Sequence, residues 1–554
     1  MKVIDSIFFI SSLLVSLLAM EDFHDAHFEA SVYLADNSSN LGNPPVLEIK
    51  MVYDTESIAY AKYSERLMST GWDFLTLSSY TKNDGKYSDS LKAYAFGYLE
   101  GYLTSKRIST HFQNTKQYYF KTENIPENLK QFIDENRNWI LKQTNENPND
   151  DFWYQVSLTQ MQLEGMIDGY NSISTNKLSY AEFSVVNASN EIGEISKYYK
   201  KSFITNFESL TFSEMENFIN RSNHCSVLVK VAADFSDVYF GHNTWLNYSS
   251  MTRIFKEYRF VTERQKSYAT VFSSYPGNIS SNDDFFITDQ NLYISETTNS
   301  IFDESLYNIL TPESVMTWQR AVVANRLSQN SYDWIENITK HNSGTLNNQW
   351  QIFDMKKFDG RISEGALTIV EQIPGYSQSE DVTEKLKFGY WPSYNIPYFE
   401  KVRTLAGYDE IGKKKPELKE AVQYWTCPRA NIFRRDQSKV IDINSMKGLM
   451  RFNDFTQDAL SKGSPKNALA CRADLDPSNP SCSGATDAKL SSWKKANGKA
   501  KSVFIIAGPT TDQQTPFNTK ISKCLKGKSA DQYTFYGLPE TFNFKWIEYK
   551  TTLF

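Results

Sequence analysis

Histidine and cysteine are scarce in this chain, which has six histidines and five cysteines among 554 residues. No Cys/His cluster has the spacing of zinc ligands, and we expect His24 and His27, near the start of the chain, to be solvated. Five is an odd number, so one thiol is left over if the other cysteines pair in an oxidising compartment. We predict neither a metal site nor a bound cofactor.

Basic clusters and long apolar runs are also missing. The formal net charge is -6, and no Lys/Arg cluster is interleaved with aromatic residues, which excludes a general nucleic-acid binder. Beyond the N-terminus no segment is apolar for the ~20 residues that a membrane-spanning helix needs. With 40% hydrophobic and 22% charged residues, long disorder is excluded as well. Small substrates or lipids fit this composition better than nucleic acid.

Several motifs of familiar enzymes are absent. The sequence has no G-x-S-x-G, no H-E-x-x-H, no G-x-x-x-x-G-K-[ST] and no G-x-G-x-x-G. The acidic residues are scattered, so no carboxylate pair for acid-base catalysis can be named without three-dimensional proximity. The chemistry has to be sought in another kind of residue.

The N-terminus has the pattern of a signal peptide, which we place at residues 1–20. Lys2 precedes an apolar run at 7–19, and Glu21 and Asp22 follow it. The run is too short to span a membrane, and the alternative is an uncleaved anchor. A secretory route also suits the six N-x-S/T sequons, which are Asn37, Asn187, Asn220, Asn247, Asn278 and Asn337.

The cysteines differ in their neighbours along the sequence. Cys471 and Cys482 flank a turn-rich loop at 476–481 that a disulfide could close. Cys225 has no cysteine nearby. It is either the reactive thiol that remains or a buried structural thiol, and the count alone leaves both readings open.

Cys225 begins a stretch around which the chain is organised. Two apolar, β-branched runs at 225–230 and 237–245 flank a short polar break, and this pattern predicts a β-hairpin whose first strand starts at the cysteine. The preceding segment, 207–224, is polar and predicted to be exposed, which makes it a natural site of cleavage. Cys225 is therefore the candidate nucleophile.

The rest of the chain mixes helices and strands. Gly-x-x-x-Gly spacing recurs in helical patterns at 87–101 and 160–170, and small residues four apart on one helix face predict that these two helices pack together. Segment 251–258 is a helix or an edge element. A further helix is predicted at 314–327, and strands are predicted at 30–34, 45–52, 285–288, 292–295, 349–354 and 366–373. The class is α+β with much antiparallel sheet.

Blocks of residues along most of the mature chain resemble the phospholipase B-like (lamina ancestor-like) family of secreted and lysosomal hydrolases. The blocks lie at 97–104, 224–226, 241–245, 296–299, 342–350, 371–375, 390–395 and 432–437. The resemblance implies an N-terminal nucleophile hydrolase, a four-layer αββα sandwich with antiparallel sheets. In such a fold the chain is cut just before the nucleophile, so fragments 21–224 and 225–554 would form one fold.

The resemblance also suggests roles for individual residues. Cutting the bond before Cys225 frees an α-amino group with a pKa of about 7.7 to 8, which can serve as base for the adjacent thiol. The thiolate then attacks an acyl carbonyl and forms a thioester, which water hydrolyses. We expect His242 beside Cys225, Asn395 as an oxyanion donor, Trp245 as an apolar wall and Arg434 on a substrate oxygen. The alternatives are a turn-bonding Asn395, a core Trp245 and an ordinary ion-pairing Arg434.

The predicted function is a secreted or lysosomal hydrolase that removes acyl chains from phospholipids. A thioester route serves esters and amides equally, so an amidase acting on lipid or peptide amides is an alternative. A secreted, non-catalytic binding protein on the same fold is the other. The expected partner is a lipid or an acyl amide, and the sequence does not give the oligomeric state.

Overall fold

The structure, a computed structural model, describes residues 25–35, 45–79, 85–121, 124–199, 207, 209–211, 214–215, 225–526 and 534–554. The predicted signal peptide, the sequons Asn37 and Asn220 and most of segment 207–224 lie outside the described residues.

The larger of two main sheets has eleven strands within the described residues, in the spatial order β13-β12-β11-β10-β9-β8-β7-β4-β3-β1-β2. Its strand pairs are antiparallel except β4 with β7, which run parallel and bring residues 73–78 beside 254–259. The strands are β1 Ala26–Leu34, β2 Leu47–Lys50, β3 Ala59–Glu65, β4 Asp73–Ser78, β7 Ile254–Arg259, β8 Ala269–Ser274, β9 Phe285–Thr288, β10 Leu292–Thr298, β11 Asn348–Asp354, β12 Leu367–Ile373 and β13 Tyr376–Asp381.

The second sheet contains the predicted hairpin. In the described part of the chain its order is β14-β5-β6-β16-β17-β20, and β15 pairs with β6. Cys225 is the first residue of β5 and lies opposite Thr244 of β6. The strands are β5 Cys225–Val231, β6 Val238–Asn247, β14 Tyr390–Ser393, β15 Ser483–Ala485, β16 Asp487–Ser492, β17 Ser502–Ala507 and β20 Ile547–Lys550, and a separate small pair is β18 Phe517–Asn518 with β19 Thr541–Phe542.

Helices fill much of the chain before the hairpin and recur after it. They are α1 Leu67–Thr70, α2 Asp89–Leu103, α3 Ser105–Phe120, α4 Glu127–Glu146, α5 Asp151–Ile173, α6 Tyr180–Asn187, α7 Ile192–Tyr199, α8 Thr317–Leu327, α9 Ser331–Thr339, α10 Thr383–Leu386, α11 Glu400–Leu405, α12 Tyr408–Lys414, α13 Pro428–Asp436, α14 Ile443–Met450 and α15 Trp493–Ala496.

The two main sheets pack face to face through apolar side chains. Phe240 of β6 stacks on Tyr293 of β10 at 4.6 Å between ring centroids and lies 5.0 Å from Phe353 of β11. Helices cover the outer surfaces. Trp334 of α9 packs on Trp350 of the large sheet, with 4.9 Å between ring centroids. The predicted α+β class with large antiparallel sheets is confirmed.

Helices α2 and α5 pack against each other through glycines, as their spacing predicts. A Cβ placed on Gly97 would lie 1.8 Å from the carbonyl oxygen of Gln162, and one on Gly165 would lie 1.9 Å from that of Tyr94. Contact this close leaves no room for any side chain. The hydroxyl of Ser88 caps α2, where it accepts a hydrogen bond from the backbone N–H of Leu91.

The disulfide proposed between Cys471 and Cys482 is wrong. Cys482 is bonded to Cys524, and Cys471 is a buried thiol without a disulfide. The backbone carbonyl of Cys471 instead accepts a hydrogen bond from the N–H of Ala485, on the other side of the loop. Closeness along the sequence pointed to the nearer partner, but the fold brings Cys524 to Cys482.

The burial of three predicted glycosylation sites contradicts their prediction. Asn187 is fully buried, and its amide nitrogen donates to the carbonyls of Phe183 and Gly277 at 3.0 and 2.9 Å. Asn278 is equally buried, and Asn337 has only 7% of its surface exposed. A glycan is attached through this nitrogen and needs solvent around it. The half-buried Asn247 stays a prediction.

Across the residues that are described, no helix combines the length and the apolar character needed to cross a membrane.

Candidate active site

Cys225 lies at the start of β5 with its side chain fully buried. Its thiol is 3.5 Å from Oε1 of Glu296, which belongs to β10 of the facing sheet. A backbone hydrogen bond from Trp245 lowers the pKa of the thiol and so favours the thiolate. The cysteine is thus held between the two sheets, next to a carboxyl group.

His242 completes a cluster of three reactive side chains. One potential ligand atom from each of Cys225, His242 and Glu296 lies within 4.8 Å of the other two. Nε2 of His242 is 3.1 Å from the backbone carbonyl oxygen of Glu296. Since a carbonyl can only accept, this nitrogen carries the hydrogen, and Nδ1 is left as the lone-pair nitrogen. No partner for Nδ1 is found among the described residues.

The backbone of Cys225 is fixed on both sides. Its N–H faces Oδ1 of Asn395 at 3.5 Å, and the Asn395 amide donates in turn to the carbonyl of Thr298 at 2.8 Å. The carbonyl of Cys225 accepts a hydrogen bond of 2.7 Å from Arg429. Asn395 has a left-handed backbone with φ 69°, which asparagine tolerates better than most residues.

Trp245 forms part of the wall of the site. Its ring is almost wholly buried, and the Arg429 guanidinium lies 4.3 Å from the ring centroid. Its indole N–H donates to Oδ1 of Asn243 at 2.8 Å, and the same oxygen accepts the backbone N–H of Ser226. The tryptophan therefore packs the guanidinium against the strand that carries Cys225.

A fully buried ionic network lies beside this cluster. Lys489 is 2.8 Å from Asp283 and 3.0 Å from Asp487, and Arg253 is 2.6 and 2.9 Å from the same two carboxylates. The hydroxyl of Thr244, opposite Cys225, donates to Asp283 at 2.8 Å. Two cations and two anions balance one another here, which is the condition for burying charge at tolerable cost.

The pKa values in the site keep the thiol protonated. Burial and then the nearby Glu296 raise the pKa of Cys225 well above its ordinary value. Burial raises the pKa of Glu296 to about 8, although hydrogen bonds from Cys225 and Thr298 oppose this. Burial and then Lys489 lower the pKa of His242 well below its usual range. In this uncut chain, then, thiol and imidazole are both neutral near pH 7 and the sulfur is a poor nucleophile.

A second buried acid lies next to Glu296. Burial raises the pKa of Asp284 well above its ordinary value, and the neighbouring Glu296 and Asp283 raise it further. For Asp283 itself burial acts in the same direction, but Arg253 and Lys489 overcome it and hold its pKa low. Adjacent residues thus carry an ionised and a protonated carboxyl group.

Of the residues singled out in the sequence, Cys225, His242, Trp245 and Asn395 come together, and Arg434 does not. Arg434 is exposed and donates to the Asn431 side chain at 2.9 Å and to the carbonyl of Trp425. The arginine at the site is Arg429, five residues earlier on the same helix, α13. The two point in different directions because five residues rotate an α-helix by about 500°, which leaves their side chains about 140° apart around the axis.

Glu296, Arg429, Lys489, Thr244 and the aspartates are the residues that sequence reasoning missed. The signal that could have identified Glu296 is its place in the block at 296–299, whose polar residues follow directly on an apolar strand. Nothing in the sequence marks Arg429 or Lys489, which are 204 and 264 residues away from Cys225 along the chain.

Comparison with known proteins gives a consistent result. The family model described as Phospholipase B matches residues 59–549. Phospholipase B-like protein B of Dictyostelium discoideum is 36% identical over 515 residues, which cover 90% of this chain and 86% of that protein. Phospholipase B-like 1 of Bos taurus is 34% identical, covering 95% and 94%. Phospholipase B of Crotalus adamanteus is 33% identical, covering 98% and 96%.

Proposed function

The chain belongs to the phospholipase B family, and from this premise we propose that it is a hydrolase that removes acyl chains from phospholipids with Cys225 as its nucleophile. The names of its relatives support the substrate class. The arrangement around Cys225 supports the nucleophile, because a thiol, an imidazole and a carboxyl group meet there.

The proposed fold is the four-layer αββα sandwich of N-terminal nucleophile hydrolases. In this proposal the signal peptide 1–20 is removed, and the chain is then cut between His224 and Cys225. Fragments 21–224 and 225–554 stay together because β4 and β7, one from each fragment, are paired in the large sheet. The predicted signal peptide supports secretion or a lysosomal location.

One observation carries the proposal: Oδ1 of Asn395 faces the backbone nitrogen of Cys225 at 3.5 Å. After a cut this nitrogen becomes an amine, and the same side-chain oxygen would hold it beside the sulfur. The amine is then placed to take the thiol proton, and the ammonium group so formed offsets part of the cost that burial and Glu296 impose on ionisation. Asn395 acts here as the residue that positions the base, rather than as the oxyanion donor predicted from the sequence.

The reaction has two steps. The Cys225 thiolate attacks the acyl carbonyl, and the tetrahedral adduct expels the alcohol of the lipid, which takes the proton from the α-ammonium group. Water then attacks the thioester, gives its proton to the amine and releases the fatty acid, which restores the thiol. The backbone hydrogen bond from Trp245 stabilises the thiolate, and Arg429 holds the carbonyl of Cys225 in place.

Determination of the mature N-terminus tests the proposal first. We expect two chains on a denaturing gel, one of which starts at Cys225. Fatty acid release from diacyl phospholipid vesicles should be lost in Cys225→Ala and retained in Cys427→Ser, which changes another buried thiol. An intact chain with no acyl release, or full activity in Cys225→Ala, would refute the proposal. A parallel panel of acyl amides separates an esterase from an amidase.

A further inference from the structure

The cluster of Cys225, His242 and Glu296 has the donor atoms and the spacing of a metal site. A sulfur, an imidazole nitrogen and a carboxylate oxygen lie within 4.8 Å of one another. The sulfur and Oε1 of Glu296 are 3.5 Å apart. Bond lengths of about 2.3 Å to sulfur and 2.1 Å to oxygen separate two ligands of a tetrahedral zinc ion by about 3.6 Å. The histidine nitrogen is the one that has to move closer.

The hydrogen bonding of His242 is that of a metal ligand. Its Nε2 faces the carbonyl of Glu296 at 3.1 Å, and Nδ1 is buried without a partner within the described residues. Metal-bound histidines in proteins typically donate their second ring nitrogen to a carbonyl or carboxylate, which fixes the ring and its tautomer. A buried lone pair without a partner is costly, and a cation is the kind of ligand that would use it.

A hydrogen bond also fixes the carboxyl group of Glu296. Its second oxygen, Oε2, accepts the hydroxyl of Thr298 at 3.3 Å, so Oε1 is the oxygen that faces the sulfur. Thiolate and carboxylate together carry two negative charges, which match one divalent cation. The adjacent network of Lys489, Arg253, Asp283 and Asp487 is balanced within itself and adds no net charge.

The donor set selects among cations. Calcium and magnesium prefer sites made only of oxygen, whereas a thiolate and an imidazole suit zinc. We propose that Cys225, His242 and Glu296 form a zinc site, and that zinc bound there inhibits the hydrolase. Zinc forms bonds to Sγ, to the imidazole nitrogen and to the Glu296 oxygen, and the protons of the thiol and the carboxyl group pass to solvent. The inhibition, though not the binding, depends on the function proposed above.

Equilibrium dialysis of the purified, mature protein against zinc chloride tests the binding. We expect one zinc per molecule at saturation, and at least a tenfold weaker affinity in Cys225→Ala, His242→Ala and Glu296→Gln. Cys427→Ser and Cys471→Ser, which change the other two unpaired cysteines, serve as matched controls and should bind as the wild type does. Unchanged zinc affinity in Cys225→Ala, or no binding by the wild type, would overturn the proposal.

Cobalt gives a second measurement that requires no variant. Co²⁺ bound at this site should produce the near-ultraviolet charge-transfer absorption of a cobalt-thiolate bond, which zinc then displaces, whereas a hundredfold excess of Mg²⁺ should not. A cobalt complex without this absorption would place the metal away from Cys225 and overturn the site.

Inhibition is measured separately on phospholipid vesicles. Zinc should abolish acyl release and a chelator should restore it. Zinc that binds through Cys225 without affecting acyl release would overturn the inhibitory role. If the preparation releases no fatty acid even without zinc, the proposed function fails, while the dialysis and cobalt results still decide the site.

Discussion

One strand, β6, has an apolar end and a polar end on the same face. Phe240, His242 and Thr244 follow one another at intervals of two residues, and every second residue of a strand lies on the same face. Phe240 packs between the sheets on Tyr293 and Phe353, whereas Thr244 contacts the charged Asp283 and Lys489. Over about 13 Å, the length of four residues of strand, the side chains between the sheets change from aromatic to charged.

The two ends tolerate change differently. Packed rings can rearrange around a side chain of similar volume, because dispersion and burial have little directional preference. A network of buried charges has no such freedom, because each ion depends on the position of its counterion. The comparison predicts that single substitutions cost most at the polar end, where the candidate site lies, and the following experiments test that ranking.

Lys489→Met should have the largest effect. It leaves Asp283 and Asp487 with Arg253 as their remaining buried cation, and loss of one member of a buried ionic network costs about 3–5 kcal/mol. Urea unfolding followed by tryptophan fluorescence measures the loss. Lys495→Met, at a surface ion pair with Glu548, is the control and should cost less than about 1 kcal/mol. Equal losses in the two variants would contradict the ranking.

Thr244→Val should have the next largest effect. The shape is conserved, but Asp283 loses a hydrogen bond of 2.8 Å and Lys489 loses an acceptor, which together cost about 1–3 kcal/mol. Thr270→Val, at a half-buried position of β8, is the control. The same unfolding assay applies, and a valine variant as stable as the wild type would mean that the hydroxyl does not hold the network.

Phe240→Leu should cost less than about 1.5 kcal/mol, because leucine keeps most of the buried volume and the neighbouring rings can adjust. Phe235→Leu, in the partly exposed connection between β5 and β6, should leave the urea midpoint nearly unchanged. If Phe240→Leu destabilised the protein more than Lys489→Met, the apolar end would be the less tolerant one and the comparison would be reversed.

The last effect expected is a dependence on pH that comes from the polar end. The folded-state pKa of Glu296 is raised to about 8, so its contribution to stability is complete below its ordinary value near 4.5 and is lost as the pH rises through 8. The contribution changes by at most about 1.4 kcal/mol per pH unit. Unfolding midpoints of the wild type should fall between pH 6.5 and 8.

Glu296→Gln isolates that contribution. Glu194 and Glu371 also have pKa values raised by burial, to about 7, and act in the same direction. The variant keeps these two groups, so the midpoint of the wild type should fall more steeply with pH than that of the variant. Parallel curves would mean that Glu296 does not titrate in this range.

Local patterns predicted a good part of this molecule. The hairpin at Cys225 and the glycine contact between α2 and α5 were both readable, because strand propensity and the spacing of small residues act over a few positions. Segment 251–258 was ambiguous. It contains all but the last residue of β7, which lies in the interior of the large sheet and is buried on both faces, so the alternation that marks a strand is absent.

The site was only partly predictable for a different reason. Cys225 and His242 lie on one hairpin, so local structure brings them together. Glu296 comes from the other sheet, 71 residues further along the chain. The cluster therefore depends on how two sheets pack, and no spacing of residues in the sequence encodes it.

The parallel pairing of β4 with β7 has a consequence for the lifetime of the mature protein. If the chain is cut before Cys225, the backbone hydrogen bonds between these strands join two separate molecules within one sheet. Separating the fragments and unfolding the sheet then become the same event. Once apart, the fragments have to meet again in solution, so reassembly depends on concentration and is slow when the protein is dilute. The height of its unfolding barrier therefore adds to the protection of such a protein, and its refolding requires both fragments at sufficient concentration.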